Sequence, residues 1–409
     1  MKKRKSLNHA LVLFLSVVIL FTSVPAVNLA STVSAATSSR IKLYNFIKLT
    51  VEALGLDEET TYLNAALKAG IVKEGDFSNY KKYTTRTDAA VILNRADEYL
   101  HGDTVDPELL KLVLNSRISD IKKIDADKRE AVAKIYTKGF MKGYSNGYYI
   151  KSREFRGNEY MTTAGAKNVI SMLKNTKKRA KLSPDGQLIR TTNLPKNAKD
   201  YPYILETYPN SFYEMKFKYQ RARYYYEPKE LVDYARPVKF TQISSDMEEV
   251  LNKYLDTWID RIETNLKTRL NVNYMIIDNT WINTLRSTYT QYKDAEINKR
   301  KTDDIKKYVS LVKKNKIVIK SKVITVEPST LYKNDAGFYM RTYVKFKVDY
   351  SGSNLTAKDI LYGDHIWMPG LKKGKWFEGI YDIRLSTING NSDGSDFYIT
   401  DDSLMDYND

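Results

Sequence analysis

A helical unit that occurs twice near the N-terminus constrains the fold of this chain more than any other feature. In the first copy, apolar residues at helical spacing predict helices over residues 44–54, 62–72 and 89–100. In the second copy, the same spacing predicts helices over 131–139 and 162–173, in the same order. Repeated units of this kind bury their apolar faces against one another rather than alone. The sequence therefore predicts an N-terminal region of two all-α repeats.

Glycines and threonines mark equivalent positions in the two copies. Gly70 corresponds to Gly139, and Thr85 corresponds to Thr162, with a longer loop between these positions in the second copy. Thr85 and Asp88 have the spacing of a capping box in which Asp replaces the usual Glu. We therefore expect a helix to begin directly after Thr85.

These motifs resemble those of the S-layer homology family, in which a helix is followed by a G-I-x-x-G turn and then by I-T-R-A-E-A-A at the start of the next helix. The first copy reads A-G-I-V-K-E-G at residues 69–75 and T-T-R-T-D-A-A at 84–90. The second copy reads K-G-F-M-K-G-Y at 138–144 and M-T-T-A-G-A at 161–166. It is preceded by I-S-D-I at 118–121, which is also similar to the family. Three repeats are usual in the family, and two are found here.

The resemblance implies that the repeats bind a pyruvylated cell-wall polysaccharide in grooves between them, with the Arg of the T-R-A-E motif as a principal contact. Arg86 keeps this Arg in the first copy, and Thr163 replaces it in the second. Gly165 stands where the second copy should have its acid. Asn45 lies near the position where the first copy should have its Asp. Each copy has thus lost part of the motif.

The groups that remain in the two copies could together line one shared groove, which would still bind the polysaccharide despite these losses. It would be lined by Arg86 from the first copy and by Asp120 and Gly143 from the second, and the resemblance adds Asp88 and Tyr144 as polysaccharide-binding residues. Arginine suits this role because its planar guanidinium can hold a carboxylate through two hydrogen bonds. Gly143 would let a sugar approach the backbone closely. The alternative is that Arg86 is an exposed residue at a helix start and that the turn glycines are helix C-caps.

The N-terminus predicts export. A basic start is followed by an uncharged apolar run at residues 10–21, which is too short to span a bilayer comfortably. The small residues V-S-A-A at 33–36 could be cut after Ala35 or Ala36, so residues 1–36 are interpreted as a removed signal peptide. A retained anchor helix is the alternative. We expect a secreted protein of the Gram-positive cell wall or cell surface, with no membrane contact after cleavage.

The charge and composition of the chain limit which partners and which kinds of catalytic or metal site are expected. The chain has a formal net charge of +17, and a cationic protein outside a cell is attracted to anionic wall polymers. Lys and Arg are spread along the chain rather than clustered in blocks, which argues against a nucleic-acid partner. Cysteine is absent, which excludes disulfides, thiol catalysis and Cys-type zinc sites. Only His101 and His365 remain after signal cleavage, which gives zinc hydrolysis and Ser-His-Asp catalysis little support. No cofactor or metal is predicted.

The middle of the chain is rich in tyrosine interleaved with Lys and Arg. Such a pattern could form a glycan-binding surface, but tyrosine is equally suited to half-buried packing, which is the favoured interpretation. The tyrosines are Tyr201, Tyr203, Tyr208, Tyr213, Tyr219 and 224–226.

The last part of the chain predicts an α+β domain. A long amphipathic helix starts with Ser245 and Glu248 as a capping box, and another helix is expected over 281–308. The period then changes to two in the predicted strands, and turns are expected at Pro328 and at two Gly-containing sites. The sheet should bury its apolar face on the long helix. The predicted strands are 316–327, 338–350 and 376–385.

A multidomain organisation follows from these patterns. A calcium-like loop at 389–394 lacks its bidentate Glu, because Thr400 stands there, and is interpreted as a flexible turn. The predicted divisions are the signal peptide 1–36, repeats 37–103 and 104–174, a basic linker 175–186, the Tyr-rich segment 187–243, the α+β domain 244–400 and an acidic tail 401–409.

These observations predict an exported cell-surface protein that is attached non-covalently to an anionic secondary wall polysaccharide and carries a C-terminal interaction or structural domain. One alternative is a wall-targeted glycan hydrolase that uses the repeats as its anchor, since the spatial pairing of carboxylates is not visible in sequence. Another is a freely secreted protein whose degenerate repeats no longer bind.

Overall fold

Helices dominate the N-terminal half of the chain, and an antiparallel sheet dominates the C-terminal half. The computed structural model describes residues 39–56, 61–215, 238–334, 337–363, 366–386, 397–399 and 404–405. The predicted signal peptide, the tyrosines beyond residue 215, the calcium-like loop, His365 and the acidic residues of the tail lie outside the described residues. No helix in the described ranges is both long enough and apolar enough to cross a bilayer.

The N-terminal helices begin close to where the periodicity of the sequence predicts. The capping box is confirmed, because the Asp88 amide donates to the Thr85 hydroxyl at 3.1 Å and the Thr85 amide donates to the Asp88 carboxylate at 3.0 Å. Thr162 caps its own helix by accepting from the Gly165 amide at 3.0 Å. The helices are α1 (Leu43–Leu54), α2 (Tyr62–Lys68), α3 (Arg86–His101), α4 (Pro107–Leu112), α5 (Arg129–Thr137) and α6 (Thr163–Ser171).

The six helices share one apolar core that contains residues of both copies. Phe46 of α1, Leu93 of α3 and Ile135 of α5 are fully buried in it. Gly139, at the end of α5, has a φ of +75°, and a Cβ there would lie 2.0 Å from the Ala180 carbonyl oxygen. Only glycine fits such a position. The basic segment 175–186 therefore packs against the second copy, where the Ala180 amide donates to the Gly139 carbonyl at 2.9 Å.

Purely helical repeats are not confirmed. The longer loop of the second copy forms a hairpin of β1 (Tyr144–Ser145) and β2 (Arg153–Glu154). Isolated antiparallel bridges also join Thr85 to Tyr160 and Arg40 to Thr162. These extended segments pair across the two copies, so the N-terminal half is mainly helical with a small β component.

The C-terminal half contains one long helix and several shorter ones. Its helices are α7 (Asn210–Glu214), α8 (Ser245–Arg269), α9 (Asn279–Ser287), α10 (Ala295–Lys314) and α11 (Ala357–Ile360). The single helix expected over 281–308 is wrong, because the chain leaves the helix after Ser287 and starts α10 with Asp294 as its N-cap. The capping box expected at Ser245 is also wrong, since Ser244 is the N-cap residue and no side-chain cap bond forms.

A six-stranded antiparallel sheet forms the centre of this half, in the order β3–β5–β6–β8–β9, with β4 also paired to β5. The turn expected at Pro328 is wrong: β5 continues past it, with a register shift between Glu327 and Tyr332. Proline lacks an amide donor, so it is tolerated at such an irregularity. A separate parallel pair is formed by β7 and β10. The strands are β3 (Val238–Lys239), β4 (Asn271–Asn273), β5 (Val318–Asn334), β6 (Gly337–Asp349), β7 (Ile366–Trp367), β8 (Trp376–Ser386), β9 (Tyr398–Ile399) and β10 (Leu404–Met405).

The apolar face of the sheet packs on α8, as the sequence predicts. The ring of Trp258 lies 5.4 Å from that of Phe338 between their centroids, and both side chains are almost completely buried. Other apolar residues of β6 on the same face are buried as well: Met340, Val344, Phe346 and Val348.

The Tyr-rich segment packs on the sheet. The Tyr208 hydroxyl donates to the Val326 carbonyl at 3.2 Å, and the Tyr213 hydroxyl donates to the Glu327 carboxylate at 2.9 Å. Both tyrosines are fully buried, as Tyr201 nearly is, so packing is confirmed for these three. Complete burial raises the pKa of Glu327 to about 7, although Ser329 and Tyr213 donate hydrogen bonds to its carboxylate.

The loop between β1 and β2 also contacts the C-terminal half. The ring of Tyr149 stacks on Tyr343 of β6 with 3.6 Å between centroids. The Lys151 ammonium pairs with the Glu263 carboxylate of α8 at 3.0 Å, and both side chains are largely buried. The second copy is therefore held to the sheet and to the long helix by side-chain contacts.

Candidate functional site

Arg86 is the first residue of α3 and is held by the loop of the second copy. Its amide donates to the Glu159 carbonyl at 2.8 Å, and its Nε donates to the Phe155 carbonyl at 2.8 Å. The Thr85 cap fixes the start of the helix, so the backbone position of Arg86 is set from both copies. The guanidinium is thus placed at the junction of the two copies.

The Arg86 guanidinium lies between aromatic rings. Its Cζ is 4.9 Å from the ring centroid of Phe155 and 5.1 Å from that of Tyr144. Burial lowers the pKa of Arg86, and the charges of Asp120 and Glu159 oppose this change. Because arginine keeps its proton in proteins, the group stays cationic. Its Nη1 and Nη2 have no hydrogen-bond partner among the described residues, so both can donate to a ligand.

Asp120 shapes the loop beside Arg86. Its carboxylate accepts from the Phe155 amide at 2.7 Å and from the Arg156 amide at 2.8 Å. The residue is only 9 % exposed. Charge-assisted bonds of this kind are stronger than neutral ones. Asp120 therefore positions the loop that holds Arg86, and its oxygens are already occupied by backbone donors.

Tyr144 is the first residue of β1, and Gly143 directly precedes it. Gly143 has a φ of +67°, and a Cβ there would lie 2.9 Å from the Glu154 carbonyl oxygen. Only glycine lets the two strands approach this closely. Tyr144 follows directly and is 39 % exposed. The exposed ring of Tyr144 lies next to the guanidinium of Arg86.

Arg156 was not predicted from the sequence. Its guanidinium lies 4.1 Å from the Tyr144 ring centroid, closer than that of Arg86. It pairs with Glu154 at 2.9 Å and with Glu159 at 3.5 Å, and these contacts raise its pKa. The loop of the second copy departs from the family motif, so no motif pointed to this residue. Its backbone has a φ of +58°, which the bond to Asp120 helps to hold.

Asp88 lies in a different environment. Its carboxylate accepts from the Thr85 amide and pairs with the Lys82 ammonium at 3.0 Å. It is only 4 % exposed. The structure thus brings Arg86, Asp120, Gly143 and Tyr144 together, while the oxygens of Asp88 are used by the helix cap and by Lys82.

We call Arg86, Arg156 and Tyr144 the first Arg–Tyr cluster. The Arg86 guanidinium next to the Tyr144 ring can hold a carboxylate through a forked hydrogen bond while the ring contacts an apolar face of the ligand. The described residues contain no group of three or more His, Asp or Glu side chains that could hold a metal ion. The Arg86 guanidinium beside the exposed Tyr144 ring is suited to binding an anion.

Comparison with protein families gives one match to this region. The model of the S-layer homology domain matches residues 117–162, which lie within the second predicted repeat and include Asp120, Gly143, Tyr144 and Arg156. Searches of curated proteins and of solved structures gave no significant match. Domains of this family generally bind cell-wall polysaccharides, which suggests attachment at the wall or cell surface. Residues 117–162 of this chain therefore match an S-layer homology domain.

Proposed function

We propose that this chain is exported and attaches non-covalently to an anionic, pyruvylated polysaccharide of the Gram-positive cell wall through the first Arg–Tyr cluster. One observation carries this proposal. Arg86 is held by the loop of the second copy through its amide and Nε, which leaves Nη1 and Nη2 near Tyr144 without a partner among the residues that the structure describes.

The chemistry of the cluster fits an acidic sugar. Nη1 and Nη2 of Arg86 present two parallel donors, which match the two oxygens of a carboxylate. The Tyr144 ring, 39 % exposed, can contact the apolar face of the same sugar. Arg156 is already paired with Glu154 and Glu159, so the ligand carboxylate is assigned to Arg86.

In this proposal the signal peptide 1–36 directs export, and the C-terminal half serves as an interaction or structural domain that faces away from the wall. The stacking of Tyr149 on Tyr343 and the Lys151–Glu263 pair hold that half to the repeats. Binding of the repeats to the wall would therefore present the whole chain on the surface.

Co-sedimentation with purified walls tests the proposal. The mature chain should bind walls and should lose binding when the secondary polymer is extracted. Arg86→Ala should abolish most of the binding, because one forked contact with the carboxylate is lost. The matched control is Arg300→Ala, since Arg300 is an exposed arginine on α10 of the C-terminal half. Equal binding of Arg86→Ala and the unchanged chain, with both folded, would refute the proposal.

A further inference from the structure

A second group of arginine and tyrosine side chains lies at the start of α6. The Cζ of Arg40 is 4.8 Å from the ring centroid of Tyr160 and 5.9 Å from that of Tyr83. The two rings are 5.8 Å apart and meet edge to face. Tyr83 is 43 % exposed and Tyr160 is 47 % exposed, so both present ring surface to solvent. We call these three residues the second Arg–Tyr cluster.

Backbone pairing fixes the second Arg–Tyr cluster. Antiparallel bridges join Arg40 to Thr162 and Thr85 to Tyr160. A third bridge joins Lys42 to Tyr83. Each of the three side chains therefore projects from a short extended segment that is hydrogen-bonded to its neighbour. A site built on paired backbone is already organised before a ligand arrives.

No acidic side chain of the described residues pairs with Arg40. Within the described ranges its guanidinium forms no hydrogen bond and no ion pair, and it lies over the rings of Tyr83 and Tyr160. The neighbouring helix α6 has no acidic residue in its first turn, whereas α3 has Asp88. An exposed guanidinium next to a helix start that lacks an acid gives this surface a positive potential.

Arg40 also stands close to a position where the motif has lost its arginine. In the second copy, Thr163 replaces the Arg that follows the N-cap. Arg40 is paired with the N-cap residue Thr162 through the backbone, and its guanidinium lies over the ring of Tyr160, two residues before that N-cap. The first copy thus brings a cation near the helix start where the second copy lacks its own arginine.

We propose that Arg40, Tyr83 and Tyr160 form a second binding site for an acid-bearing sugar of the same polymer. The guanidinium of Arg40 binds the carboxylate, and the exposed rings of Tyr83 and Tyr160 contact the face of the sugar. The inference rests on the proposed function, because it assigns a second contact to the same ligand. The two clusters lie on the same pair of segments, since Arg86 follows Thr85 and Glu159 precedes Tyr160. A polymer bound at both clusters gains affinity by avidity.

The test uses the mature full chain and secondary wall polymer that is released from walls and separated into short and long fragments. Binding is measured by calorimetry for the unchanged chain and for Arg40→Ala, Arg86→Ala and the control Arg300→Ala. We expect Arg40→Ala to weaken binding of long fragments roughly tenfold, because a charge-assisted contact is lost. The advantage of long over short fragments should also shrink. Arg40→Lys should not restore full binding, since it lacks the fork.

The variants separate this inference from the proposed function. If Arg86→Ala weakens binding and Arg40→Ala leaves both affinity and length dependence unchanged, the second site is refuted and the proposed function stands. If neither variant changes binding, both are refuted. Replacing Tyr160 with Ala gives a second check, since removing the ring should weaken binding while the charge of Arg40 remains. Thermal unfolding of each variant confirms that the chain is folded.

Discussion

Gly157 lies so close to Thr87 that an added Cβ would be 2.3 Å from the Thr87 hydroxyl oxygen. The Thr87 amide also donates to the Gly157 carbonyl at 3.0 Å. This contact joins the start of α3 in the first copy to the loop of the second. It is next to Arg86 and Arg156, so the first Arg–Tyr cluster depends on it.

Gly157→Ala should therefore disturb both stability and wall binding. The extra methyl group would also meet Ile124 at 3.2 Å, so the loop must move away from α3. Overpacking of this kind costs about 1–3 kcal/mol of unfolding free energy. Urea denaturation and wall co-sedimentation check the prediction. Gly370→Ala is the control, because a Cβ at Gly370 meets only Phe377, at 3.6 Å. Equal stability of the two variants would contradict this account.

Replacement of Asp120 should release the loop that holds Arg86. Asp120→Ala removes the acceptor for the Phe155 and Arg156 amides and should cost about 3 kcal/mol, because bonds to a charged group are lost. Asp120→Asn keeps one acceptor oxygen and should cost less. Chemical denaturation gives these differences. If wall binding persists undiminished in a folded Asp120→Ala chain, the loop does not depend on this carboxylate.

Arg86→Lys should weaken wall binding nearly as much as Arg86→Ala. Lysine keeps the positive charge, but it cannot donate through Nε to the Phe155 carbonyl while offering two parallel donors to a ligand. We therefore expect a loss of at least about tenfold in affinity for the wall polymer. Binding isotherms at two salt concentrations measure it. Unchanged affinity of the Arg86→Lys variant for the wall polymer would show that only the positive charge matters for binding.

Glu327 should make stability depend on pH. Its pKa in the folded chain is raised to about 7 by burial, above the ordinary value of 4.5, so the unfolded chain releases this proton at lower pH than the folded chain. The stability that the protonated carboxyl adds to the folded chain is complete below pH 4.5 and is lost as the pH rises through 7. The unfolding free energy should change by roughly 3 kcal/mol over this range.

Glu327→Gln removes this titration. We expect the variant to lose the fall in unfolding free energy between pH 5 and pH 8 that the unchanged chain shows. At pH 8 the variant should be the more stable of the two. Urea denaturation at several pH values measures the difference. Parallel pH profiles for the two chains would show that Glu327 does not titrate in this range.

Local patterns in the sequence predict much of this fold. The spacing of Thr85 and Asp88 identifies the start of α3, and alternation identifies the inward face of β6, because both depend on residues a few positions apart. Pro328 misled the prediction of β5, since a proline at a bulge has the same local signature as one at a turn.

The candidate site is harder to predict from the sequence, because its contacts join residues that are distant in the chain. The Nε of Arg86 donates to the Phe155 carbonyl and the Arg156 amide donates to Asp120, so the positions of both arginines depend on partners far away in the chain. The motif identified Arg86, Asp120, Gly143 and Tyr144 by resemblance. Arg156 and Arg40 stand outside the motif, and only the folded arrangement shows that they lie on tyrosine rings.

The hairpin of β1 and β2, together with the segment that follows β2, makes two separate sets of contacts. Tyr144 and Arg156 flank the proposed sugar site, while Tyr149 and Lys151 contact the sheet and α8. A force pulling on the C-terminal half would therefore reach the anchoring loop through these side chains as well as along the chain through residues 175–186. Shear at the cell surface would be shared between two parallel connections.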